Sequence, residues 1–148
     1  MPPALDELVE ELREADRQER IELLIDLAND LPPLPDRLSQ YKDEAHRVPE
    51  CQSPVFLFLE RQGPHIHLFA DVPPEAPTVR GFVCLLVRGL DGATVEDVLS
   101  VPNDLIQRTG MAEILGMQRT SGLSGVLQRL KAMVARTEAA STEQSQQK

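Results

Sequence analysis

Residues 55–71 read Val-Phe-Leu-Phe-Leu-Glu-Arg-Gln-Gly-Pro-His-Ile-His-Leu-Phe-Ala-Asp, and this stretch decides the fold class. Val55–Leu59 is a short apolar run rich in strand formers. Gln62-Gly63-Pro64 is turn chemistry. From His65 to Asp71 the residues alternate, with Ile66, Leu68 and Ala70 on one face and His65, His67 and Phe69 on the other. The pattern predicts an antiparallel hairpin flanking Arg61–Pro64. Two strands alone are marginal. A third strand or a helical cover is therefore expected, with Ala45–Val48 as the candidate strand.

Downstream, Pro73, Pro74 and Pro77 break the chain. Val79, Phe82, Val83, Leu86, Val87 and Leu90 then recur at helical spacing, despite the strand preference of valine. Asp91-Gly92 supplies a stop. Thr94 with Asp97 resembles a cap and opens a short helix to about Ser100. Pro102–Leu115 holds one or two short helices, broken at Gly110 and Gly116. A last helix runs from about Thr120 to Arg136, burying Leu123, Val126, Leu127, Leu130, Met133 and Val134. Residues 137–148 lack large apolar side chains and read as a disordered tail.

Upstream, Leu5, Leu8, Val9 and Leu12 form one helical stripe. Ile21, Leu24, Ile25 and Ala28 form a second, started by an Asp16–Glu19 capping box. Leu31-Pro32-Pro33-Leu34-Pro35 ends that helix, and Asp36–Tyr41 can add a short turn. Helix–helix–strands–helices is not an alternating βαβ order. The expected fold is α+β: one domain over residues 1–136, with a small antiparallel sheet of about three strands and helices packed on one face.

Of the 148 residues, Asp and Glu contribute 24 and Lys and Arg 15, for a net charge of −9. Residues 1–30 hold ten acids and three bases, so the acidity belongs to the two N-terminal helices. They present either a solvated outer face or a docking face for a basic partner. A basic stripe for nucleic acid is missing, and so is one for an anionic membrane. The longest uninterrupted apolar run, Phe82–Val87, is far short of a bilayer span. The N-terminus opens with acids, unlike a signal peptide. Cytoplasmic residence with reduced thiols is expected.

Two cysteines make neither a disulfide framework nor a four-ligand metal cluster. Cys51 lies in Val48-Pro49-Glu50-Cys51-Gln52-Ser53-Pro54, a turn segment directly before the apolar strand. It is either a functional thiol or a buried packing residue. Cys84 sits among apolar neighbours and reads as a small core residue; the other role open to it is a resolving thiol. His65 and His67 are spaced for a metal, but other convincing ligands are absent, which favours a structural or surface role. Met111, Met117 and Met133 read as core.

The stretch around Cys51 resembles the active-cysteine loop of the SufE family, the sulfur acceptors of cysteine desulfurases. Cys51-Gln52-Ser53 before an apolar strand is similar to the family's Cys-Gln-Ser loop. Leu31-Pro32-Pro33-Leu34 resembles its Leu-Pro-x-Leu, and Glu75–Gly81 (EAPTVRG) its acidic-Ala-x-Ile-Val-Lys/Arg-Gly helix start. Leu115–Gly122 (LGMQRTSG) resembles its Leu-x-x-x-Arg-x-x-Gly segment. The likeness spans about residues 5–135. Glu50 stands where the family usually has glycine, and Pro54 and Phe56 replace a large polar residue and a tryptophan.

The resemblance implies a SufE/IscU-like fold and a persulfide acceptor at Cys51, supported by Gln52, Ser53 and Arg119. By residue type alone Arg119 fits a helix contact equally well, and Arg80 reads as structural. The implied partners are a cysteine desulfurase, which carries the pyridoxal phosphate, and an iron–sulfur scaffold; this chain needs no cofactor or metal. It would act as a sulfur carrier and activator rather than as an independent enzyme. The competing readings are an iron–sulfur or zinc scaffold and a non-catalytic adaptor. Thiolate attack on the outer sulfur of a persulfide is a relative of thiol–disulfide exchange, governed by thiolate fraction and access. Glu50 is expected to lower that fraction by like-charge repulsion, so activation is expected mainly from the docked partner, with His46, Arg47 or Arg119 as local help.

Overall fold

A computed structural model describes residues 1–146, with side chains as far as Glu138. The stretch expected as a disordered tail, 137–148, instead continues the last helix as far as Gln146, and residues 147–148 lie outside the described residues. In chain order the elements are α1 (Pro3–Glu14), α2 (Arg17–Asn29), α3 (Asp36–Ser39), β1 (Phe56–Gln62), β2 (His65–Asp71), α4 (Pro77–Leu90), α5 (Val95–Leu99), α6 (Leu105–Thr109) and α7 (Ala112–Gln146). No helix among the described residues is long and apolar enough to cross a membrane.

The class is α+β, but the sheet has two antiparallel strands rather than about three. Leu57 pairs with Ala70 and Leu59 with Leu68, and the Gly63-Pro64 turn joins the strands. The segment expected to add a strand at Ala45–Val48 reaches only a single bridge, Arg47 to Phe56. Leu57 N–H donates to the His46 carbonyl and Val48 N–H to the Val55 carbonyl, each at 2.9 Å. Pro49 has no N–H to continue that ladder, and a turn precedes it, with His46 N–H on the Asp43 carbonyl at 3.1 Å.

One face of the hairpin, carrying Leu57, Ile66, Leu68 and Ala70, is buried, with α4 against β2 and α7 against β1. The other face carries three phenylalanines, covered by residues 36–47. The Arg37 guanidinium lies 5.5 Å from the Phe69 ring and Lys42 5.9 Å from Phe56. His46 stacks on Phe58 at 4.6 Å. Arg37 also binds Glu60 and Lys42 binds Asp71, which fixes this strap over the strands.

Helix α4 is the centre of the molecule. Between Val79 and Leu90 only Arg80 and Arg88 escape burial, so the expected stripe is in fact a helix apolar nearly all round. Helices α1 and α2 cross it closely. A Cβ added at Gly81 would stand 2.4 Å from the Leu24 carbonyl oxygen, and one at Gly89 would stand 2.7 Å from Leu5. This contact sets the rotation of α2. Leu24, Leu27 and Ala28 are buried, whereas Ile25, expected on the inner stripe, is 44% exposed. Arg80 ties the same corner together, donating to the Ala28 carbonyl at 2.8 Å and the Val72 carbonyl at 2.6 Å.

The Asp16 cap on α2 forms, with its carboxylate accepting from Glu19 N–H. The full capping box forms at Thr94 and Asp97. Gly110 closes α6 in the left-handed conformation, as the break there predicts. Helix α7 is interrupted at Gly116, whose φ of 80° and ψ of 170° are reserved for glycine. The break leaves Met117, expected in the core, 91% exposed, whereas Met111 is fully buried.

A cleft around Cys51

Residues 49–54 form a small closed loop. Its neck is the Val48–Val55 hydrogen bond at 2.9 Å, with both side chains fully buried. Inside it, Cys51 N–H donates to the Val48 carbonyl at 3.3 Å and Val55 N–H to the Ser53 carbonyl at 2.8 Å. Pro49 and Pro54 fix φ on either side of the thiol. This local turn presses Cys51 against the protein, leaving it 6% exposed.

The wall behind the loop is α7, where two glycines one helical turn apart open a seat for it. A Cβ at Gly122 would meet the Glu50 carbonyl oxygen at 3.3 Å and the Cys51 Sγ at 3.9 Å. A Cβ at Gly125 would meet the Glu50 Cβ at 2.6 Å and its Cγ at 2.9 Å. Gly125 was invisible as a site residue from sequence. The signal that points to it is the Gly-x-x-Gly spacing, which puts both residues on one helix face.

A cleft of about 530 Å³ opens beside the thiol. Its lining comes from three separated stretches: Glu50–Ser53, the start of α4 at Glu75–Val79, and Gln118–Gly122 of α7. Gln52, Ser53 and Arg119 therefore stand together with Cys51. Arg119 is exposed, and its side chain makes no hydrogen bond or ion pair among the described residues. Leu31 and Pro32 lie elsewhere, beside the β2 strand and Val87.

Burial pushes the Cys51 thiol above its ordinary pKa; a hydrogen bond from the Ser53 backbone and the Arg47 charge oppose this without overcoming it. Glu50, expected to repel the thiolate, is not among the charges that move it. Of the cations expected to help, His46, Arg47 and Arg119, only Arg47 favours the thiolate; the His46 ring is stacked on Phe58 and bonded to Asp43 at 2.8 Å.

The other candidates stand apart from this chemistry. Cys84 is fully buried in α4, and burial raises its pKa to about 11. His65 bonds the Gly92 carbonyl at 2.9 Å; His67 bonds Asp91 at 3.2 Å and Gln62 at 3.1 Å. Among the described residues no group of three or more His, Cys, Asp or Glu side chains is placed to hold a metal.

Residues 6–134 match the family described as "SufE: Fe-S metabolism associated domain". An uncharacterized SufE-like protein of Mycobacterium tuberculosis is 39% identical over 132 residues, covering 88% of this chain and 91% of its own length. The cysteine desulfuration protein SufE of Plasmodium vivax is 29% identical over 109 residues, covering 72% of this chain and 41% of its own. The solution structure of a hypothetical protein from Thermus thermophilus superimposes with a TM-score of 0.82 at 34% identity, covering 94% of this chain and 98% of that one.

Proposed function

The chain belongs to the SufE family, whose place is iron–sulfur metabolism and cysteine desulfuration, and on that premise we propose that Cys51 accepts a persulfide sulfur from a cysteine desulfurase. The Cys51 thiolate attacks the outer sulfur of the donor persulfide. A new bond forms between that sulfur and Cys51 Sγ, the donor's sulfur–sulfur bond breaks, and the donor leaves as a thiolate. No net oxidation occurs. Removal of the sulfur product relieves the donor and stimulates its turnover, and the chain then hands the sulfur to an iron–sulfur scaffold. Pyridoxal phosphate belongs to the desulfurase.

The observation that carries this reading is the convergence of the Cys51 loop, the α4 start and the Gln118–Gly122 stretch of α7 on one cleft. Gln52 and Ser53 shape the loop, and unpaired Arg119 is free to meet an anionic group of the donor. Arg47 favours the thiolate, while burial disfavours it until the donor unseats the loop.

Intact mass after incubation with a cysteine desulfurase and L-cysteine, without reductant, tests the proposal. The expected result is a gain of one sulfur atom, reversed by reductant and absent in Cys51→Ser. A turning-over desulfurase that binds the chain but leaves it unmodified would overturn the acceptor role and leave an adaptor.

A further inference from the structure

Cys51 is shut in by its own loop, and its neighbour Glu50 is the residue whose side chain that loop lays against α7. The loop touches α7 at two points. At Gly122 the approach is tight but tolerant, since a Cβ there would need a shift of only a few tenths of an ångström. At Gly125 there is no tolerance. The Glu50 stem occupies the volume that any side chain at 125 would fill, at 2.6 Å from an added Cβ, whereas carbon atoms in contact stand about 3.5–4.0 Å apart. Glu50 is exposed and its carboxylate has no partner among the described residues, so charge pairing does not hold it in place. Packing does.

We propose that Glu50, seated in the notch at Gly125, is a latch that keeps the 49–54 loop closed and sets how often the Cys51 thiol is presented. The loop is short, stiffened by Pro49 and Pro54, and joined to the sheet through the Val48–Val55 neck. It therefore moves as one piece when the stem leaves its notch, and Glu50 is a positioning residue for Cys51. The latch takes its biological meaning from Cys51 as acceptor, but its test does not depend on sulfur transfer.

Labelling of Cys51 and Cys84 by iodoacetamide in the reduced full-length chain, followed by intact mass across neutral to alkaline pH, is that test. Glu50→Gly and Gly125→Ala should each speed Cys51 labelling by roughly tenfold, the scale of an overpacked contact. Each should also shift the labelling midpoint down towards that of a solvated thiol, and leave Cys84 unlabelled. On the Glu50→Gly background, Gly125→Ala should add nothing, because the stem it displaces is gone. Equal increments on both backgrounds would overturn the latch, as would an unchanged rate in Glu50→Gly or parallel labelling of Cys84. Should Gly125→Ala fail to fold, Glu50→Gln decides: it keeps the stem and should label like the unsubstituted chain, and labelling as fast as Glu50→Gly would overturn the proposal. A chain that labels as expected yet takes no sulfur retains the latch and loses the acceptor role.

Discussion

The two cysteines are both buried, yet their surroundings make them opposites. Cys51 hangs from a loop over a cleft, one movement away from solvent, with Arg47 favouring its thiolate. Cys84 is enclosed by α4 and its neighbours, with its pKa at about 11. In the unfolded chain a cysteine titrates near ~8.5. Below that pH both states of Cys84 are protonated, and its burial contributes fully. As pH rises towards 11, the unfolded chain loses the proton while the folded chain keeps it, so stability falls. Urea unfolding should therefore show an alkaline decline in stability that is shallower in Cys84→Ala. An identical slope in both chains would contradict this. Cys51 was legible as a candidate from its flanking prolines and its resemblance. The effect of Glu50 was not, because an adjacent charge suggests repulsion, and only the fold shows its stem turned over Gly125.

Among the elements, α4 shows how far periodicity carries. Its spacing fixed it as a helix in spite of its valines. Its burial on nearly every side depends on which neighbours arrive, which no local pattern encodes. The same cause exposes Ile25 and buries Leu27 on α2, two residues that are equally apolar and two positions apart. Gly81 registers that crossing. Gly81→Ala would drive a methyl into the Leu24 carbonyl oxygen at 2.4 Å, and backbone cannot swing aside as a side chain does. A loss of about 1–3 kcal/mol is expected, measured as a lower urea midpoint with an unchanged slope. A midpoint equal to that of the unsubstituted chain would show that α2 slides freely over α4. Met117 teaches a related lesson: among apolar neighbours it reads as core, but the backbone reversal at Gly116 turns it into solvent.

At the scale of the whole molecule, the cleft exists only when the chain is folded, since its three walls come from residues 50–53, 75–79 and 118–122. Its parts were legible one by one, as stretches resembling a family; their meeting was not. The two thiols report different motions of this assembly. Cys84 can be reached only by opening the core, so its labelling should speed up steeply with urea. Cys51 needs only the loop to move, so its labelling should be nearly independent of urea well below the unfolding midpoint. A common urea dependence would mean that the loop and the core open as one unit.

The reduced sheet carries a further consequence. A two-stranded hairpin has two unsatisfied edges, and such edges are templates for pairing between molecules. Here β1 is closed off by the His46 carbonyl and the Arg47 bridge, and β2 by Thr94 and by the exchange of hydrogen bonds between Ile66 and residues 92–93. Neither closing segment is long enough to count as a strand, and each engages one end of its edge, at Leu57 on β1 and at Ile66 on β2, where the Asp91 carboxylate also accepts from Leu68 N–H at 3.1 Å. Both edges thus begin already paired, which shortens the stretch on which a strand from another copy could dock.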